Sequence, residues 1–121
     1  MSRKEIASDF LKLVSSGKVQ EGYDRHVHED FIHHNAYFKG NRQSLLAGME
    51  ENARLFPGKT YEVLRMLEDG DLAVIHGKVN LSPTQVFSVI HIFRFQEERI
   101  IEMWEASQQD LPDSPNEFGI F

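Results

Sequence analysis

The 121-residue chain contains no cysteine. That absence excludes disulfide frameworks, thiolate metal sites and cysteine nucleophiles together, and it fits a reducing compartment. Nowhere do eighteen apolar residues run together, so no membrane-crossing helix is expected. The opening residues, MSRKEIASDFLKLV, carry Lys4, Glu5, Asp9 and Lys12 where a secretory signal needs an uncharged apolar run, and a cytoplasmic location is expected. Basic clusters are missing as well. With a formal charge of −6 and no run of Lys and Arg, the surface cannot neutralise phosphates as a nucleic-acid binder must. There is no glycine-rich phosphate loop, no dinucleotide fingerprint and no G-x-S-x-G elbow.

What is present is the composition of one ordinary folded domain, residues 1–121, with 40% hydrophobic and 26% charged residues. Ser2 followed by Glu5 has capping-box spacing, and Ile6, Phe10, Leu13 and Val14 then recur at helical intervals until Gly17, predicting a first helix. A second short helix is expected over Val19 to Val27. A third is expected over Arg42 to Phe56, where Leu45, Leu46, Met49, Ala53 and Phe56 keep the helical period until Pro57-Gly58 ends it. Between them, DFIHHNAYFKG (Asp30 to Gly40) reads as a loop with a short extended piece around Phe31 and Ile32.

After Pro57-Gly58 the period falls to two. Segments 60–68, 72–80, 85–95 and 99–108 are rich in Val, Ile, Phe and Tyr and are separated by the turns EDGD, LSPT and QEER. Connections this short demand antiparallel neighbours, so the strands form a meander with the helices packed on one face: an α+β plan. Residues 109–121 form a tail whose apolar end, EFGIF, is expected to dock on the body.

Alternation sorts the last two strands into faces. One face of the third carries Phe87, Val89, His91, Phe93 and Phe95. One face of the fourth carries Ile101, Met103, Glu105 and Ser107, leaving Ile100, Glu102, Trp104 and Ala106 on the other. Folding the hairpin at QEER brings His91 near Met103 to Glu105. An imidazole and a carboxylate on one apolar face tune each other's proton affinity, so the pair suits acid/base work; the same geometry also serves as a structural contact, and both readings stay open here. His76 shares a face with Val74 and Lys78 and extends this polar line if that face is the same one.

His26, His28, His33 and His34, with Glu29 and Asp30 between, make a histidine-dense stretch. Its spacing matches neither the helical H-E-x-x-H motif nor an H-x-H arrangement with a distant Glu, so neither metal nor cofactor is expected.

The terminal strands VFSVIHIFRFQEERIIEMWEASQ, with the HHN run, the AVIHG strand and the GIF ending, resemble the SnoaL-like (polyketide cyclase-like) proteins of the nuclear transport factor 2-like superfamily, over nearly the whole chain. The resemblance implies a cone of N-terminal helices on a curved antiparallel sheet enclosing a pocket, and homodimerisation through the sheet. It also implies general acid/base chemistry on a carbonyl compound, as in an intramolecular aldol condensation. The acid/base aspartate of such cyclases corresponds to Glu105 and the assisting histidine to His91. Glu105 reaches about one methylene further than aspartate, and Met103 stands where a histidine precedes the tryptophan. On such a fold the HHN segment lies at the pocket mouth, and the expected pocket set is His33, His34, Asn35, Tyr37, His76, Phe93 and Met103, with Phe38 as further wall. The expected ligand is small and hydrophobic or carbonyl-containing. Two alternatives share the scaffold: a non-catalytic ligand-binding or dimerisation module, and an isomerase or epoxide hydrolase drawing on Tyr23, Tyr37 or Asp30.

Overall fold

The computed structural model describes all residues, Met1 to Phe121. Helix α1 spans Arg3–Ser15 and opens with the expected capping box: Ser2 accepts from the Glu5 N–H, and the Glu5 carboxylate accepts from the Ser2 N–H. Helix α2 (Val19–His26) packs against it. After a strand β1 (Val27–His33), helix α3 (Arg42–Leu55) starts at Asn41, whose side chain caps the Ser44 N–H. Strands β2 (Thr60–Asp69), β3 (Leu72–Ser82), β4 (Gln85–Gln96) and β5 (Arg99–Gln109) follow as the expected hairpins.

The sheet order is β1-β5-β4-β3-β2, with four antiparallel strands and β1 added parallel to β5. This edge strand corrects the expectation of a helix running to Val27 followed by a loop. Val27 and Phe31 point inward and are almost fully buried, whereas Glu29 and Asp30 face water. The partner of β1 lies some seventy positions further along the chain, opposite Ile100 to Met103, so local pattern carries no sign of it.

A second correction concerns β5. Gln96 faces Arg99 and Phe95 faces Ile100, but from Arg94 opposite Glu102 onward the register slips by one, leaving Ile101 as a bulge. The slip returns both Ile100 and Met103 to the interior, each with no exposed area, although alternation alone assigns them to opposite faces. It also sets His91 directly opposite Glu105. A further irregularity between Val63 and Arg65 interrupts β2, and such bulges bend a sheet and increase its twist.

The helices cover the concave face. Phe10 of α1 meets Tyr23 and Phe93 edge-to-face at 5.4 and 6.1 Å, and Tyr23 meets Phe31 at 6.3 Å. These rings form the centre of the core, where truncating any one to alanine costs about 3–5 kcal/mol. The tail leaves β5 with the Asp110 N–H donating to the Val86 carbonyl, and it ends with the Phe121 ring 4.8 Å from Lys78 Nζ. Thus the last residue reaches back to the sheet, while Phe118 in the same segment stays 86% exposed.

Candidate functional site

The core does not fill the whole space under the helices. Toward the ends of β2 and β3 a cavity of about 250 Å³ opens between α1, α3 and the concave face. Leu11 and Val14 from α1, Leu45 and Met49 from α3, and Val79 and Phe87 from the sheet supply its apolar walls. Eight polar side chains break that surface: Ser15, Asn35, Asn52, Lys59, Tyr61, His91, Glu105 and Ser107.

His91 and Glu105 form the innermost pair. The His91 Nε2 lies 3.8 Å from Glu105 Oε1, with side-chain exposures of 8% and 27%. The imidazole is stacked on Phe93 at 5.7 Å, and its Nδ1 is buried with no hydrogen-bond partner. Burial pushes the His91 pKa below the ordinary value of 6.5, and the charge of Glu105 only partly opposes this. The ring is therefore neutral at pH 7. A neutral imidazole beside a carboxylate leaves its charge uncancelled, and at 3.8 Å the two are in polar contact without a direct hydrogen bond.

The HHN run supplies the third member. His33, at the end of β1, points inward, and its Nε2–H donates to the Lys39 carbonyl at 2.6 Å while its Nδ1 accepts from the Asn35 N–H at 3.0 Å. Those two backbone partners admit only the neutral Nε2–H tautomer. The pair of bonds closes the 33–40 loop. In it, the Asn35 Oδ1 accepts from the Tyr37 N–H at 3.0 Å, which turns Asn35 Nδ2 toward Glu105 Oε1 at 3.1 Å. His34 alternates to the outer face of the sheet, stacked on Trp104 at 5.2 Å with its Nε2 2.7 Å from Glu102 Oε2. Hydrogen bonding to His34, reinforced by Arg94 at 2.6 Å, holds the Glu102 carboxyl below the usual carboxylate range.

Of the expected pocket set, then, Asn35 lines the cavity beside His91 and Glu105, and six residues do not. His33 acts through the loop and His34 faces outward. Tyr37 is 89% exposed, while its neighbour Phe38 lines the cavity against Gly48, where a Cβ would overlap the ring. Phe93 and Met103 are wholly buried in the core beneath the cavity. His76 lies on the outer face: its Nδ1 accepts from Arg65 at 2.8 Å and its Nε2–H donates to Ser88 Oγ at 2.9 Å. The inner face of β3 belongs instead to Ala73, Ile75 and Gly77. The remaining histidines also have separate engagements, His26 with Asp9 at 2.6 Å and His28 with the Asp30 N–H at 2.9 Å.

The tyrosine candidates are likewise replaced. Tyr23 is fully buried with its hydroxyl on Met49 Sδ at 3.3 Å, and Asp30 is exposed. The cavity tyrosine is Tyr61, whose hydroxyl is buried without any partner and whose pKa burial pushes far up, so it stays protonated. Its ring lies over Gly77, at a position where any Cβ would collide with the hydroxyl and the ring carbons. Alternation of Lys59, Tyr61 and Val63 at the start of β2, with Gly77 on the facing strand at Val63, was the available signal.

The sheet and the helices over it have counterparts among solved structures. IdmH from Streptomyces antibioticus, a candidate polyketide cyclase, superposes with a TM-score of 0.75 at 17% identity, covering 89% of this chain and 93% of that one. AclR from Streptomyces galilaeus, a candidate hydroxylase, gives 0.73 at 17% identity with 88% of each chain covered. An NTF2-like protein of unknown function from Cytophaga hutchinsonii gives 0.73 at 12% identity, covering 89% and 91%. At such identities the likeness establishes the fold, which is NTF2-like. No curated protein matches the sequence. The SnoaL-like domain pattern matches residues 7–103, from α1 into β5 and through the strand that carries His91, and on that match the chain belongs to the SnoaL-like domain family.

Proposed function

We propose that the cavity binds a small carbonyl compound and moves a proton at the carbon next to its carbonyl, with Glu105 as the general base and acid. The observation that carries this reading is a carboxylate on the wall of an apolar cavity, held by Asn35 at 3.1 Å and set against a neutral imidazole, with Tyr61, whose buried hydroxyl has no protein partner, among the residues around the same cavity. The Glu105 carboxylate takes the α-hydrogen as a proton, and the C–H electrons move into the C–C bond while the carbonyl π electrons pass to oxygen. The Tyr61 O–H donates to that enolate oxygen. Asn35 fixes the carboxylate with His91 packed beside it, and the carbon nucleophile then either recaptures the proton or attacks a second carbonyl, whose alkoxide oxygen takes the proton back from Glu105 to complete an aldol closure.

The cavity bounds the ligand. At about 250 Å³ it stands at the small end of ligand sites, which run from about 300 to 1,000 Å³, and suits one or two rings. Glu105 is the only carboxylate on its walls, which disfavours an epoxide hydrolase that needs additional acid groups. The test is solvent exchange: single-ring aryl ketones incubated with the protein in D2O, followed by proton NMR. Catalysed loss of the α-hydrogen signal supports the proposal, whereas ligands that bind without exchange point to a non-catalytic binding module.

A homodimer is part of the same proposal. Ile32, Ile90 and Ile92 are 45%, 43% and 36% exposed and lie on the outer sheet face with Trp104, an apolar stretch that a second copy would cover. Sedimentation at micromolar concentration, with Ile92→Glu as the disrupting variant, tests it.

A further inference from the structure

The cavity contains one group for which proton transfer at Glu105 has no use. Lys59 follows the Pro57-Gly58 stop of α3, where its N–H donates to the Phe56 carbonyl, and its side chain turns into the cavity. There it is half-buried, and it is the only cation on the cavity walls. No carboxylate lies within ion-pair distance of it; its sole hydrogen bond is from Nζ to Asn52 Oδ1 at 2.5 Å. Loss of water around the ammonium pushes its pKa below the ordinary lysine value, so the charge stands uncompensated in a partly apolar space.

Asn52 completes the arrangement. With Oδ1 committed to Lys59, its amide nitrogen has no protein acceptor, yet the residue lines the cavity. An ammonium and a neighbouring N–H₂ donor match the two oxygens of a carboxylate. A phosphoryl group brings a third oxygen and more charge, which one ammonium and one amide leave unmatched. Glu105 stands well apart. From β5 to the start of β2 is three strand steps, roughly 14 Å along the sheet at about 4.8 Å per step, whereas the Tyr61 ring reaches back over Gly77 of β3, toward Glu105.

We propose that Lys59 and Asn52 form a carboxylate-binding subsite, so that the ligand of this cavity is a keto acid with its anionic end at β2 and its reacting carbon at Glu105. The inference rests on the proton-transfer reading for the position of the reacting carbon alone; selection for a carboxylate is independent of it. Keeping the ligand carboxylate away from Glu105 also avoids burying two negative charges side by side. The apolar walls between the two ends take the ring.

The test compares 3-phenylpropanoate with its neutral isostere 3-phenylpropanamide by isothermal titration calorimetry against wild type, Lys59→Met, Lys59→Gln, Asn52→Leu and Glu105→Gln. Wild type is expected to prefer the acid by roughly tenfold or more, the size of one charge-assisted hydrogen bond. Both Lys59 variants should lose the preference while keeping wild-type affinity for the amide, and Asn52→Leu should reduce it. Glu105→Gln should retain it. Failure of the acid to bind, equal affinity for acid and amide in wild type, or a preference that survives in both Lys59 variants overturns the subsite. Absence of α-hydrogen exchange with the acid preference intact overturns the Glu105 chemistry and leaves the subsite standing.

Discussion

The Asn35 side-chain amide donates to Glu105 Oε1 across 3.1 Å, tying a loop that follows the first strand to the last strand of the sheet. It makes the orientation of one carboxylate depend on the whole 33–40 loop, and hence on His33, which touches neither cavity nor ligand space.

The loop should therefore report on a single tautomer. In long-range nitrogen–proton NMR correlations, the neutral His33 ring is expected to carry its proton on Nε2 and none on Nδ1. His33→Ala is expected to weaken any Glu105-dependent rate while leaving ligand binding at the far end of the cavity largely unchanged. A neutral His33 with its proton on Nδ1 contradicts this arrangement of the loop.

Tyr61 separates stability from activity. Its buried hydroxyl has no partner, so Tyr61→Phe removes an unsatisfied polar group and is expected to leave urea-unfolding stability unchanged or slightly raised. As the donor to an enolate oxygen, the same hydroxyl should cost about 10²–10³ in turnover when lost. Gly77→Ala should disturb the same ring from below, and overpacking of this kind costs about 1–3 kcal/mol. Combining it with Tyr61→Ala should recover much of that loss.

His91 gives the pH dependence. Burial favours its neutral form, so below the ordinary value of 6.5 the unfolded chain binds a proton that the folded chain resists. The stability contributed by this group is present above pH 6.5 and is lost as pH falls from there toward the depressed folded value. His91→Leu is expected to flatten that part of the profile, measured as denaturant unfolding at pH 7.5 and pH 5.5. An unchanged slope in the variant contradicts a buried neutral histidine.

Much of this was legible in the sequence. Ser2 with Glu5, the helical spacing before Pro57, and four runs of period two suffice for α1, α3 and the hairpins. The alternation VFSVIHIFRF suffices to put His91 inside. What local pattern cannot show is the effect of distant partners. β1 exists because Val27 and His33 find Ile100 and Met103 across the sheet, and the acidic residues between them read as loop. The Ile101 bulge reverses the parity of β5, and only the demand to bury both Ile100 and Met103 reveals it. His76 falls on the outer face because Gly77, with no side chain to mark its direction, holds the inner position under Tyr61. Tyr61 and Lys59 sit near the start of an edge strand that is mostly exposed, where apolar alternation is weak.

The most direct measurement of the central claim is the rate of α-hydrogen exchange for a single-ring keto compound in D2O, compared between wild type and Glu105→Gln at equal ligand occupancy. The amide keeps the size of the side chain and a carbonyl acceptor for Asn35 but cannot take a proton. A loss of roughly 10²-fold or more, with binding retained, is the expected result for the acid/base residue. Equal exchange rates in the two proteins would contradict the assignment of Glu105.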